Sequence, residues 1–403
     1  MIFVTHVACR SESELIAAIV ANVKKVNAII EGGEGTNPLN RNNSSFSCSG
    51  NTSFREIKDP EAALPSDGMQ QCLKQLEEKL DFDNKETQIV GIVGMPGIGK
   101  TTLAKKHLQV WNHKFVRNEN EIFEGFREKS NDHDWVKNIL FVADDDEKVK
   151  VLIVLDDVSD KKQLEFLRMD REKTIKVGSK IMITTRDKGT MEGLAHDTYI
   201  VPGLNDKEAL QLFTYYAFTD HTSKEEFVEM SKKFVDYAGG NPLALEELGK
   251  EVCETNQDNW EAILEMLPHR CNENIRRKLR ISYDELTEQQ EHAFLDIACF
   301  FRSEEEDYVR VLLDSYDTNA DETAREVSDL ADKCLISISA GRIEMHNLLC
   351  TLGKEIGSPK ENNLGKSRLW NHQDATDALR LKKVSKIILN ICLLKHIINL
   401  NVS

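Results

Sequence analysis

Eight consecutive residues, Gly94-Met95-Pro96-Gly97-Ile98-Gly99-Lys100-Thr101, set glycines, a lysine and a hydroxyl in an order suited to holding phosphate. The glycines let the backbone turn so that several N–H groups point inward at phosphate oxygens. Lys100 supplies a cation for the β- and γ-phosphates, and the Thr101 hydroxyl is a ligand for Mg²⁺. A helix starting here turns its positive end toward the same anion. The pattern is the P-loop, G-x-x-x-x-G-K-[ST]. With glycine near ~7% of residues, a chance match in a chain of this length is roughly a 1% event. The flanks agree: the apolar run Ile89–Val93 precedes it, and Leu103, Ala104, Leu108 and Trp111 follow at helical spacing. Gly94, Gly97, Ile98, Gly99, Lys100, Thr101 and Thr102 are therefore the candidate nucleotide-binding residues.

Two further places suit the same chemistry, and two helix starts are noted beside them. Asp156-Asp157 stands at the end of a second apolar run, where one carboxylate can reach Mg²⁺ with Thr101 and the other can position water. Asp156 and Asp157 are the candidate catalytic pair; after a strand, such a pair also serves as a helix cap or solvated loop. Arg186 closes a third run in Thr184-Thr185-Arg186. Ligands of parallel sheets sit at the carboxyl ends of strands, so a cation there suits a γ-phosphate, and by position alone it suits a surface ion pair equally well. Gly239-Gly240-Asn241-Pro242-Leu243 is a turn opening a helix, and Met345-His346-Asn347 opens another after a hairpin.

The elements that must position these residues are legible as changes of pattern. Continuous apolar runs at residues 89–93, 149–155 and 181–185, with Tyr199-Ile200-Val201 as a fourth, read as strands buried on both faces. Their alternation with helical segments implies an α/β P-loop NTPase domain, a parallel sheet with helices on both faces. Helical periodicity appears over 12–30 and 67–82, separated by a Gly-, Asn-, Ser- and Pro-rich linker over 31–66. After Pro202-Gly203 the texture is helical, over 206–218, 224–238, 243–254, 259–267 and 288–301. Residues 335–339 and 342–345 read as a hairpin around Ala340-Gly341, so the helical part ends like a winged-helix module.

Bulk properties exclude several classes. The 403 residues carry a net charge of −16, spread along the chain, which disfavours nucleic-acid backbones and anionic membranes. Nine cysteines show no C-x-x-C pair and no metal spacing, so they read as small core residues rather than a disulfide framework. No run reaches the ~18–20 apolar residues of a membrane helix, and residues 387–394 stop short at Lys395. Met1–Ala8 lacks the basic leader of a secretory signal, so an intracellular protein is expected.

Taken in order, these blocks resemble plant intracellular immune receptors of the TIR–NB-ARC–leucine-rich-repeat class. The resemblance covers about residues 67–375. Lys150–Val158 is similar to that family's kinase-2 motif, Gly178–Arg186 to the next block, and Tyr199–Phe218 to its Leu-x-x-x-Glu-Ala-Leu-x-Leu-Phe block. Gly240–Ala244 resembles the GLPL-type block, residues 281–286 and 294–301 the later ARC motif, and Leu330–Leu349 the region ending in Met-His-Asp. The resemblance implies a P-loop domain over 67–202, a helical-bundle ARC1 over 203–272 and a winged-helix ARC2 over 273–358. Residues 1–30 then correspond to the last helix of a TIR domain, 31–66 to a linker, and 359–403 to a linker towards leucine-rich repeats.

The resemblance also implies an ADP-bound resting state and an ATP-bound signalling state, with Mg²⁺ held by Thr101 and Asp156. Pro242 would pack near the adenine, Arg186 would report the γ-phosphate, and His346 would contact the ADP β-phosphate. Any ATP hydrolysis would be a slow reset, and no NAD-cleaving TIR activity is expected. Partners would be other immune receptor or signalling proteins, with self-association on activation, no specific nucleic acid and no membrane insertion; the compartment would be the cytoplasm and also the nucleus. Two departures stand out. Asn347 replaces the usual Asp beside His346, so that Asn347→Asp is expected to strengthen ADP retention. The interval between Thr102 and Asp156 is short, with an acidic stretch over 131–147, so a sheet-covering helix is expected to be missing. A P-loop ATPase with turnover as its output, and a non-signalling adaptor or degenerate paralogue, are the alternatives.

Overall fold

The structure, a computed structural model, describes residues 6–7, 66–115, 134–135, 138–142, 150–165, 167, 177–218, 227–314, 320–358 and 368. The helix expected over 12–30, the linker over 31–66 apart from Ser66, and the segment 359–403 apart from Arg368 lie outside the described residues. So does the apolar run at 387–394.

The apolar runs do become strands. Gln88–Val93 (β1), Asn138–Val142 (β2), Lys150–Val158 (β3), Lys180–Thr185 (β4) and Asp197–Ile200 (β5) form one sheet in the order β2-β3-β4-β1-β5. The pairings β3–β4, β4–β1 and β1–β5 are parallel. Edge strand β2 runs antiparallel to β3, Asn138 facing Val154 and Val142 facing Lys150. Sequence reading does not find β2, because it lies inside a stretch whose charge masks five residues of strand. The first pair of residues described, His6–Val7, meets Asp134–Trp135 in a separate two-residue antiparallel ladder.

Alternation along each strand sends side chains to two faces. Val90, Ile92, Leu152, Val154 and Met182 face one way and join the main core with Leu76, Leu80, Leu103, Leu108 and Trp111. These come from two helices, Ser66–Leu80 (α1) and Lys100–Phe115 (α2), which pack on each other and on the sheet. Ile89, Ile153, Leu155, Ile181 and Ile183 are equally buried on the opposite face. There, among the described residues, cover comes from the 3₁₀ turns Lys161–Leu164 and Lys188–Met191, which bury Leu164 and Met191. Met191 lies so close to β1 that a Cβ on Gly91 would stand 2.2 Å from its methyl group and the methionine would have to move aside.

Beyond the sheet the chain is helical. Asp206–Ala217 (α3), Val228–Ala238 (α4), Pro242–Glu254 (α5) and Trp260–Met266 (α6) surround an aromatic nucleus. Phe213 stacks on Phe234 at 5.3 Å, and Trp260 stands edge-on to Phe234 at 5.9 Å. Asn205 caps α3 in a reciprocal box with Glu208, and the same carboxylate accepts from the Gly68 N–H at 2.6 Å, tying α1 to α3. Next come Glu273–Asp284 (α7), Glu288–Asp296 (α8, prolonged by a π turn over Ile297–Phe301), Glu306–Asp314 (α9) and Ala320–Asp332 (α10). The hairpin Ser337–Ser339 (β6) and Arg342–Glu344 (β7) leads into Asn347–Gly357 (α11). This is a winged-helix arrangement. Helices α7, α9 and α10 are dense in charge and carry narrow apolar stripes, which is why sequence reading does not single them out.

Candidate nucleotide site

At the carboxyl ends of β1, β3 and β4 lies a cleft of about 570 Å³. Pro96, Gly97, Gly99, Lys100, Thr101 and Thr102 form its floor, and Asp156, Asp157 and Arg186 one wall. Leu212 and Tyr216 of α3, Pro242 and Leu243 of α5, and Lys278 and Ile281 of α7 close the other sides. The site is thus lined from all three parts of the molecule, although its members are far apart in sequence.

The loop after β1 folds for local reasons. Gly97 and Gly99 have φ of +79° and +103°, a region that favours glycine. A Cβ at Gly99 would meet nothing within 4 Å, so the backbone there faces open space in the cleft. Gly94 passes close to Ile98, which is buried and does not line the cleft. Lys100 opens α2, and its Nζ donates to the carbonyls of Gly94 at 2.7 Å and Met95 at 3.0 Å. Burial pulls this ammonium down to a pKa of about 8, against the pull of Asp157 and Asp156. A buried cation whose hydrogen bonds go to carbonyls is suited to binding an anion.

Asp156 and Asp157 stand near the end of β3, as the sequence suggests, with Val158 as its last residue. The register shifts between Leu155 and Val158, and Asp157 takes φ +55°. The irregularity turns successive carboxylates to different tasks. Asp156 is buried and its Oδ1 accepts from the Thr101 hydroxyl at 2.8 Å and the Thr184 hydroxyl at 2.6 Å. Thr184 in turn accepts from the Asp157 N–H at 2.8 Å, fixing the bulge. Thr101 and Asp156 fit Mg²⁺, a hard cation that takes few protein oxygens and completes its shell with phosphate and water. Among the described residues no cluster of three or more acidic, histidine or cysteine side chains exists that would hold a metal unaided. Asp157 keeps an exposed carboxylate at the mouth of the cleft, 3.4 Å from Arg186 Nε.

Arg186 lines the cleft yet is occupied. Its Nη1 donates to Ser282 Oγ at 3.1 Å and its Nη2 to Glu285 Oε1 at 3.0 Å, both on the α7 side. The two readings of this arginine, cleft cation and ion pair, are realised together.

Pro242 reaches the cleft because α5 docks end-on against the phosphate loop. Asn241 caps α5 by accepting from the Ala244 N–H at 3.2 Å, and its Nδ2 donates to Pro96 O at 3.0 Å. The Leu243 N–H reaches Gly97 O at 3.3 Å. His346 does not line the cleft. Its Nε2 faces the Gly239 carbonyl at 3.2 Å, and its Nδ1 accepts from the Leu348 N–H at 3.2 Å, capping α11. This assigns the proton to Nε2, and burial lowers the ring's pKa, in agreement with a neutral imidazole. Asn347 donates through Nδ2 to the carbonyls of Asp236 at 3.1 Å and Tyr237 at 3.4 Å, at the end of α4.

Sequence reasoning missed Thr184, Asn241, Lys278, Ser282 and Glu285. Thr184 and Asn241 sit within recognised blocks, so their polarity was a usable signal. Ser282 and Glu285 also sit within a recognised block, 281–286, but only the tertiary fold brings α7 and its cap to Arg186, and Lys278 lies outside every block.

Residues 69–124 and 124–223 match the NB-ARC domain family, and residues 287–359 match the winged-helix domain of "Disease resistance protein Roq1-like". The chain is similar to three disease resistance proteins of Arabidopsis thaliana. It is 41% identical to LAZ5 over 338 residues (77% of this chain, 28% of LAZ5) and 42% identical to RPS4 over 332 (76% and 27%). It is 38% identical to RPS4B over 399 residues (90% and 33%). The chain thus spans between 27% and 33% of the length of these relatives.

Proposed function

A chain that joins an NB-ARC domain to a Roq1-like winged-helix domain, in homology with Arabidopsis TIR-type disease resistance proteins, belongs with the plant NLR receptors, and from that premise we propose that it is an ADP/ATP-binding switch in defence signalling. The observation that carries this reading is the lining of one cleft by the phosphate loop, by Pro242 of α5 and by Lys278 and Ile281 of α7. A nucleotide held there touches three units, taken as residues 67–202, 203–272 and 273–358. Its state is thereby coupled to how they pack.

In this reading Lys100 and the loop amides hold the β-phosphate, Thr101 and Asp156 hold Mg²⁺, and Pro242 lies against the base. Bound Mg²⁺ would supply charge neutralisation between phosphates. Asp157, exposed at the cleft mouth, would orient water for a slow hydrolysis that resets the switch. His346 would favour ADP by holding α11 on the Gly239 turn, so His346→Ala should weaken ADP more than ATP. Signalling would pass to other receptor or signalling proteins, with self-association on activation, in the cytoplasm and nucleus. No described helix is long and apolar enough to cross a membrane.

The test is direct. The protein should co-purify with ADP, and calorimetry on stripped protein should detect both nucleotides. Lys100→Ala should lose at least tenfold in affinity, on the order of 1.4 kcal/mol. Multiple rapid turnovers of ATP, or wild-type affinity in Lys100→Ala, would count against the switch.

A further inference from the structure

Arg186 directly follows β4, but its hydrogen bonds tie it elsewhere. Two of its nitrogens donate to Ser282 and Glu285, which belong to α7 and the residue that caps it. The third, Nε, stands 3.4 Å from Asp157. The guanidinium side chain is only 15% exposed, and Ser282 is buried, so these bonds form in a partly dried setting where they count. Glu285 is the looser partner, at 46% exposure.

Arg186 and Asp157 stand in the wall of the nucleotide cleft, within electrostatic reach of Lys100, and Ser282 and Glu285 hold Arg186 from behind that wall. A diphosphate held by Lys100 and the loop would bring no phosphoryl group beyond the β-position to compete for Arg186. A triphosphate brings one more phosphoryl group with oxygens that are strong acceptors for a guanidinium. Arg186 has five N–H donors in a rigid plane, and one on each of Nη1 and Nη2 is directed at α7 and its cap. A γ-phosphate at Arg186 would therefore compete with the Glu285 carboxylate for the same guanidinium charge.

We infer that Glu285, with Ser282 as second anchor, sets the preference of this chain for ADP over ATP by holding Arg186 on α7. Glu285 is a positioning residue: it acts on the nucleotide only through Arg186. The inference rests on the nucleotide-switch reading and adds to it the residue that competes with the γ-phosphate. By linkage, the same bond that disfavours ATP is the bond whose loss frees α7 from the sheet.

The experiment uses the full chain stripped of nucleotide, with Mg²⁺, and measures competition of ADP and of a slowly hydrolysed ATP analogue against a fluorescent ADP. Glu285→Gln keeps the shape and removes the charge. It should tighten the triphosphate about fivefold, as expected for a half-exposed ion pair, and change ADP less than about twofold. Ser282→Ala should shift the ratio the same way by less. In an Arg186→Ala background, Glu285→Gln should shift nothing. Equal shifts for both nucleotides, or a shift that persists without Arg186, would overturn the inference. If the wild type binds both nucleotides and the ratio ignores Glu285, this inference alone fails; if it binds neither, the switch reading fails with it. Should Glu285→Gln unfold, Glu285→Asp withdraws the carboxylate by one methylene and must move the ratio in the same direction, an unmoved ratio overturning the inference.

Discussion

Lys100 carries a charge that its surroundings oppose. Its pKa lies near 8 in the fold against 10.5 for an unperturbed lysine. Between those values the unfolded chain binds a proton that the folded chain does not, so this group's contribution to stability rises with pH across that window, and below about pH 8 the whole cost of the buried charge is present. A phosphate beside Nζ would reverse the shift. ADP binding above about pH 8 should then take up a proton, and affinity should fall as pH climbs further. Calorimetry at roughly pH 8.5 in two buffers of different ionisation enthalpy measures this. Identical heats in both would exclude it. A second residue alters the sequence-based expectation. Asn347 donates to two carbonyls at the negative end of α4, where a carboxylate would be repelled. Asn347→Asp should therefore weaken the α4–α11 contact, by about 1–2 kcal/mol, and speed ADP release rather than retain it. Slower release from the Asp variant would restore the expectation drawn from the family. The phosphate loop was legible because its chemistry is local, with eight residues making one cradle. The direction of Asn347's bonds was not, since its acceptors lie more than a hundred positions away.

Elements matter where their ends meet. The N-terminus of α5 abuts the phosphate loop through Asn241 and Leu243, and Gly97 is the point of closest approach. A Cβ there would lie 2.7 Å from Leu243 Cβ, at a φ that already disfavours side chains. Gly97→Ala should cost about 1–3 kcal/mol from backbone strain before the clash is counted. Asn241→Ala removes a helix cap and leaves Pro96 O without its buried donor, at a comparable cost of about 1–3 kcal/mol. Urea unfolding of both variants, with and without ADP, checks this; a change below about 0.5 kcal/mol in either would mean that α5 and the loop do not support one another. Strands β1, β3 and β4 were legible since burial on both faces leaves an unbroken apolar run. Strand β2 was not: Ile139–Val142 is an apolar run of only four residues, set in a stretch dominated by acidic side chains. The bulge at Asp156-Asp157 was equally hidden, because a register shift depends on the neighbouring strand.

The whole molecule divides unevenly between packing and polar contact. The buried apolar residues of the sheet's helical face, the helical bundle and the winged helix form one continuous cluster. Yet contacts between the nucleotide-binding sheet and the winged-helix part include the polar bonds Arg186–Glu285 and Lys333–Asp187. A second set, His346–Gly239 and Asn347–Asp236, holds the winged helix to α4 and its following turn. Half-exposed bonds of this kind are worth about 1 kcal/mol or less each, enough to bias an equilibrium and too little to lock it. If the winged-helix part moves as one body, loosening one set should loosen the other. Lys333→Ala breaks a 2.9 Å ion pair at the end of α10. It should speed hydrogen exchange at the Leu348 amide, whose N–H is held by His346 on the far contact, by about two- to fivefold. Mass spectrometry on peptides spanning the start of α11 reads this. An unchanged rate at Leu348, with faster exchange only around Asp187, would show that the two contacts open independently, and the nucleotide would then need a separate route to each.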